Sequence, residues 1–253
     1  MERFLKDVTK KAGKKVLKLF GKVGVQYTKE HAMDVVTKAD LISHDYIVSQ
    51  IRKKYPTHRI ISEEGEDGNK DSENVWIVDP LDGTLNFLRS TPMFGVLVCF
   101  VKKNVLELAA IYLPYFDDFY FARRGKGAYH NGHRIHASQQ KTLKSSLGCS
   151  SGTIRLDREP MFNRFIKAKK HSLFAVNALG CCAVMSSYVA DGRRDWVMSK
   201  VAGAWDIAAP VLLMREAGCK VTNFKGEEWK LGDLEVLGAN PRLHKELLKI
   251  FGE

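Results

Sequence analysis

Val-Trp-Ile-Val-Asp-Pro-Leu-Asp-Gly-Thr-Leu-Asn-Phe, residues 75–87, is an apolar run that ends in a turn carrying two acids. Residues 75–78 have the continuous hydrophobicity of a buried strand. Asp79-Pro80 stops that strand, because proline gives no N–H to a ladder and restricts the residue before it. Asp79 and Asp82 then stand three residues apart, an arrangement that suits a hard cation with oxygen ligands such as Mg²⁺. Gly83 lets a phosphate approach the backbone. The N–H groups of Gly83 and Thr84 can donate to that phosphate if a helical turn starts there. Taken alone, the same turn is also what two capping aspartates produce.

Other acids flank this stretch. Glu63, Glu64 and Gly65 follow the short apolar run Ile60-Ile61, and Trp205-Asp206-Ile207-Ala208-Ala209-Pro210 sets an aspartate at the mouth of an apolar helix. The glutamate pair, the Asp-Pro-Leu-Asp-Gly-Thr turn and the Trp-Asp helix start together resemble the inositol monophosphatase family, among the Mg²⁺-dependent, lithium-sensitive phosphomonoesterases. The resemblance runs from Lys29 to about Asn240.

The resemblance implies an α/β chain folded as a layered α/β/α/β/α sandwich, a homodimer, and two or three Mg²⁺ per site. It assigns Glu63, Asp79, Asp82, Asp206 and the backbone carbonyl of Leu81 as metal ligands. Glu63 would also contact the attacking water. Thr84, braced by Asp40, would orient that water, and Lys29 matches a lysine near the metals and phosphate. Gly83 and Thr84 would bind the phosphate, and Glu64 would stand behind Glu63 or hold a third metal. Asp82, Gly180, Cys181 and Cys182 would meet the sugar or inositol hydroxyls. Small residues are expected in that segment, and the two cysteines are larger, so their own chemistry reads as buried packing. Ser199 stands where inositol-specific members carry a glutamate that holds ring hydroxyls, a departure that counts against strict inositol specificity.

The implied activity is hydrolysis of inositol monophosphate or a related sugar or polyol phosphate by metal-activated water. Hydrolysis of fructose 1,6-bisphosphate or 3′-phosphoadenosine 5′-phosphate is the alternative within the same superfamily. A role in binding RNA or a transcription complex is the alternative from another class.

The 253 residues, 45% hydrophobic and 27% charged, suffice for a large globular core. The start, Met-Glu-Arg-Phe-Leu-Lys-Asp, lacks the apolar core of a signal peptide, and no apolar run reaches membrane-spanning length. Five cysteines (99, 149, 181, 182 and 219) show no metal-binding spacing, which reads as reduced thiols in a cytoplasm. The net charge of +11 comes from scattered residues, with clusters at Lys10-Lys11, Lys14-Lys15 and Lys167 to Lys170. These read as solvated helix faces before they read as a nucleic-acid surface, and they would draw a small phosphorylated substrate.

Apolar periodicity predicts a helix over 2–20, ended by Gly21 and Gly24. Thr37 and Asp40 resemble a capping box opening a helix that runs to Pro56. A strand end is expected at 60–64, a loop over 66–74, and antiparallel strands over 93–101, 105–113 and 119–122. Asn131-Gly132 marks a hairpin. The nearby His130, His133 and His136 straddle that turn and make a poor metal set. The chain divides into an N-terminal metal- and phosphate-binding unit, 1–137, and a C-terminal unit, 138–253, that supplies Asp206 and substrate contacts. In the second unit, strands are expected over 147–150, 172–176 and 195–198. Helices are expected over 159–170, from about 183 to 190, from Trp205 to 217, and from Pro241 onward.

Overall fold

Alternate residues of the central run serve two different cores, and this alternation builds the layers. The computed structural model describes residues 1–29, 35–150 and 175–252. Helix α1 (Glu2–Leu17) is followed by the antiparallel pair β1 (Val25–Thr28) and β2 (Val35–Thr37), then by α2 (Lys38–Lys54). Strands β3 (Arg59–Ser62), β4 (Gly65–Asp67) and β5 (Asn74–Asp82) come next, then the short α3 (Thr84–Leu88). A meander follows, made of β6 (Gly95–Lys102), β7 (Val105–Leu113), β8 (Asp118–Arg123), β9 (Gly127–His130) and β10 (His133–Ile135). These strands form one eight-stranded sheet in the order β10-β9-β8-β7-β6-β5-β3-β4.

The second sheet has the order β12-β11-β13-β15-β14, from β11 (Leu147–Ser150), β12 (Ala175–Ala178), β13 (Trp196–Lys200), β14 (Lys220–Thr222) and β15 (Glu235–Ala239). Helices α4 (Cys182–Ala190), α5 (Ala204–Glu216) and α6 (Pro241–Phe251) and a single 3-10 turn (Leu143–Ser145) complete the described elements.

Successive strand residues point to opposite faces. Trp76 and Val78 pack with Leu5, Val8 and Ala12 of α1 and Ile47 and Ile51 of α2, whereas Ile77 joins the core shared with α4 and α5. That middle core also takes Val197 of β13, while Trp196 and Met198 turn outward to Leu243, Leu247 and Phe251 of α6. The result is the α/β/α/β/α sandwich the resemblance implies. Burying both faces of both sheets is what makes runs such as residues 96–101 apolar without alternation.

Most elements fall where the sequence places them. The Asn131-Gly132 hairpin forms with both turn residues at positive φ, 48° and 85°, and pairs His133 with His130. His130 is held by Asp118, Nε2 to Oδ1 at 2.7 Å. Three expectations need correction. Strand β5 does not stop at Asp79-Pro80 but runs on to Asp82, a register shift against β6 accommodating the proline. Helix α1 ends at Leu17, short of residue 20. Glu66 and Asp67, at the start of the expected loop over 66–74, instead belong to the strand Gly65–Asp67, antiparallel to β3. Salt bridges from Arg59 to Glu66 (2.9 Å) and from Arg52 to Asp67 (2.6 Å) hold this edge, and its short charged sequence is typical of edge strands. The strand expected over 172–176 lies at Ala175–Ala178 among the described residues, and the helix expected over 159–170 lies outside them.

The lysines of α1 face outward, and several already have partners. Lys6 bonds Glu2 at 2.7 Å and lies over Phe121, and Lys10 pairs with Asp117 at 3.3 Å. No described helix is long and apolar enough to cross a membrane.

Candidate active site

The site forms where β5 ends, α2 begins and α5 begins. The ladder between β5 and β6 shifts register between Asp79, opposite Leu97, and Asp82, opposite Gly95. Pro80 sits in that irregularity, where its missing N–H costs no ladder bond. The shift buries both flanking aspartates at one end of the sheet. Asp79 Oδ1 accepts the Leu81 N–H at 3.0 Å, while its buried Oδ2 has no hydrogen-bond partner among the described residues.

Asp82 points toward the N-terminus of α4. Its Oδ2 accepts the Ala183 N–H and the Cys181 thiol, the latter at 2.9 Å. Gly83 follows at φ 83°, and a side chain there would start 2.7 Å from the Met93 carbonyl oxygen, so the turn requires glycine.

Asp206 arrives from the first turn of α5. Its Oδ2 accepts the N–H groups of Ala202 (2.9 Å) and Gly203 (3.1 Å). A carboxylate in that position caps the helix and complements its dipole. One oxygen from each of Asp79, Asp82 and Asp206 lies within 4.8 Å of the others. Glu63 follows β3 and is bound by Lys29, whose Nζ reaches Glu63 Oε1 at 3.2 Å and Glu64 Oε1 at 2.9 Å.

Asp40 does two jobs with two oxygens. Its Oδ2 accepts the Thr37 N–H (2.8 Å) and hydroxyl, closing the capping box of α2. Its Oδ1 accepts the Thr84 hydroxyl at 3.1 Å. The capping reading and the bracing reading are therefore both present in one residue. Thr84 Oγ1 also lies 2.9 Å from the Leu81 carbonyl oxygen, so a single hydroxyl hydrogen has two acceptors within reach.

Crowding acids away from water raises their pKa values. Burial moves Asp79 well above its ordinary range, with Glu63, Asp82 and Asp206 adding to the shift. Burial also lifts Asp82, against the hydrogen bonds it accepts. Asp206 is pushed up to about 7 by burial and then by Asp82, against the N–H groups of Gly203 and Ala202. Glu63 is pushed up to about 8 by burial, with Lys29 opposing and Asp206 and Glu64 reinforcing. Asp40 rises to about 6 by burial, held back by Thr37 and Thr84. Burial pulls Lys29 down, but Glu63 and Glu64 outweigh it and hold the ammonium above its ordinary value.

Two residues do more than their sequence positions reveal. Cys181 reads as packing, yet its thiol also donates to Asp82; it is 2% exposed. Asn86 carries no assigned role, yet its Nδ2 reaches the carbonyls of Leu179 (2.8 Å), Met93 (2.9 Å) and Gly180 (3.3 Å). The Leu-Asn-Phe that closes the central stretch was the available signal, a polar residue between two apolar ones. Cys182 is buried at the start of α4. Burial raises its thiol pKa, and Asp82, Asp206 and Asp79 add to the rise. Ser199 lies on β13 in the alternation of Val197, and its buried Oγ has no partner among the described residues.

The profile of the inositol monophosphatase family matches residues 1–253. The chain belongs to the inositol monophosphatase family. A fructose-1,6-bisphosphatase/inositol-1-monophosphatase of Thermotoga maritima is 30% identical over 246 residues, covering 96% of this chain and 93% of the relative. An inositol-1-monophosphatase of Mesorhizobium japonicum is 34% identical over 242 residues, covering 94% and 91%. The crystal structure of extragenic suppressor protein suhB from Bartonella henselae superposes with a TM-score of 0.92 at 27% identity, covering 98% of this chain and 97% of that one. Membership indicates a phosphatase, and the aspartate trio, two members buried and Asp206 half-buried, is chemically suited to a metal. The donors are hard oxygens, their charges crowd one another, and Asp79 Oδ2 is buried without a partner among the described residues.

Proposed function

We propose that this chain is a Mg²⁺-dependent phosphomonoesterase acting on inositol monophosphate or a related sugar or polyol phosphate. The observation that carries the reading is the convergence of Asp79, Asp82 and Asp206, with a buried oxygen on Asp79 that has no partner among the described residues. These three acids, Glu63 and the Leu81 carbonyl would hold two or three Mg²⁺, with Glu64 behind Glu63 or on the third. When bound, the metal neutralises a phosphate dianion, acidifies a water and steadies the leaving oxygen.

The chain's own residues set the geometry of attack. Thr84 has one hydroxyl hydrogen. Donating it to Asp40 leaves the Leu81 carbonyl free to serve a cation and leaves the Thr84 oxygen as an acceptor. A water that donates to Thr84 turns a lone pair away from it, toward phosphorus. Glu63 accepts the second proton of that water, and Lys29 keeps the Glu63 carboxylate in place. The Gly83 and Thr84 N–H groups donate to the phosphate. The alcohol side lies against Asp82, Gly180, Cys181, Cys182 and Ser199. Residues 1–137 supply the phosphate side and residues 138–253 supply Asp206 and the alcohol side. The working form is a cytoplasmic homodimer that lithium inhibits.

Hydrolysis of fructose 1,6-bisphosphate is the second reading, favoured by the double name of the Thermotoga maritima relative and by the serine at position 199. Phosphate release from inositol 1-phosphate, fructose 1,6-bisphosphate, 3′-phosphoadenosine 5′-phosphate and glycerol 2-phosphate separates the readings. The assay is run with Mg²⁺, with chelator, and with Mg²⁺ plus Li⁺. Inositol 1-phosphate or another polyol phosphate ranking first in kcat/KM supports the reading. A first rank for either bisphosphate replaces it.

A further inference from the structure

Cys181 is a thiol at the end of a carboxylate that the fold places among other acids. Its Sγ lies 2.9 Å from Asp82 Oδ2 and 3.8 Å from the Asp82 carbonyl oxygen. Both residues are buried, at 2% and 8% exposure, so solvent does not replace the thiol if it is removed. The same carboxylate oxygen accepts the Ala183 N–H from the start of α4. The Cys181 β-carbon lies 3.2 Å from the point where a side chain on Gly83 would begin. The Asp82–Gly83 turn is therefore gripped from the C-terminal half by the backbone N–H groups of Ala183 and Cys182, by the Cys181 thiol and by one packing contact.

We infer that Cys181 is a positioning residue of the metal centre, its S–H holding Asp82 in the orientation that brings it beside Asp79 and Asp206. The inference rests on reading the aspartate trio as a metal site. It assigns the cysteine a role separate from contact with substrate hydroxyls. A hydrogen bond to a charged group inside a protein is stronger than a neutral one. Losing it also lets the carboxylate rotate away from its two neighbours. Metal affinity should therefore suffer before substrate affinity does.

The test uses Mn²⁺ as the probe, its binding to the intact protein measured by calorimetry and by electron paramagnetic resonance. Cys181→Thr and Cys181→Val have nearly the same shape, but only threonine carries a donor. The expected result is Mn²⁺ binding about tenfold weaker in the valine variant and within about threefold of wild type in the threonine variant. At saturating metal, KM for the phosphate ester is alike in the threonine and valine variants, whose side chains have nearly the same shape. If either branched side chain prevents folding, Cys181→Ser and Cys181→Ala give the same comparison with smaller groups. Equal Mn²⁺ affinity with and without the donor overturns the proposal and leaves the metal site standing. Absence of Mn²⁺ binding by the wild-type protein overturns the metal site itself, and the role of Cys181 with it.

Discussion

The Thr84 hydroxyl donates to Asp40 Oδ1 at 3.1 Å, across 44 residues of sequence, while the other oxygen of Asp40 caps α2. One carboxylate thus fixes both the start of a helix and the rotamer of the hydroxyl beside the acid cluster. Thr84→Ala is expected to lower kcat by about 100-fold with little change in KM, because positioning a water acts mainly in the transition state. Thr84→Ser should recover most of the rate. Steady-state kinetics on the best ester checks this, and a change confined to KM would assign Thr84 to phosphate binding instead.

Asp82→Asn keeps the shape of the side chain and removes its charge. Turnover with Mg²⁺ should fall by more than about 100-fold while the circular dichroism spectrum stays that of the wild type. The metal-free variant should be at least as stable as the parent, since one of several mutually repelling acids is gone. Near-normal activity would remove Asp82 from the metal centre.

The acids give a stability profile with a defined sign. Burial raises Asp40 to about 6, Asp206 to about 7 and Glu63 to about 8, from ordinary carboxylate values near 4. Without metal, the folded state keeps these protons over a range where the unfolded chain has already released them. Stability then falls as pH rises from about 4 to about 8. A bound cation favours the ionised acids and opposes that fall. Melting temperatures taken with chelator and with Mg²⁺ should therefore diverge near pH 8 and converge near pH 5. A stabilisation by Mg²⁺ that does not depend on pH would contradict the assignment.

Asn86 joins α3 to the segment before α4 through the carbonyls of Leu179 and Gly180. Asn86→Ala should loosen that segment and raise KM for a polyol phosphate by about tenfold. The kcat for 4-nitrophenyl phosphate, whose leaving group carries no hydroxyls to position, should change little. Equal losses on the two esters would mean that Asn86 supports the phosphate side or the fold.

The strand and the paired acids Asp79 and Asp82 were legible because their signals are local, whereas the sandwich and the place of Asp206 were legible only through the resemblance that the combined motifs carry. The 75–78 run announces a buried strand, but the stop expected at Asp79-Pro80 does not occur: a register shift against β6 lets β5 pass through Pro80 to Asp82. The double use of Asp40 was half legible, its capping pattern lying within four residues. The contacts of Asn86 and Cys181 were not legible, since they join positions 93 to 99 residues apart and leave no trace in periodicity. Strand β4 escaped because its residues are polar and its pairing depends on Arg52 and Arg59 from neighbouring elements. Cysteine at 181 looked like packing because burial and donation to a carboxylate share the same apolar surroundings.

The most direct measurement is phosphate release from inositol 1-phosphate by the wild-type protein, followed as Mg²⁺ is removed with chelator and then restored. Release that stops with the chelator and returns with Mg²⁺ is the predicted result. Release that continues without any divalent metal would contradict a centre built from Asp79, Asp82 and Asp206.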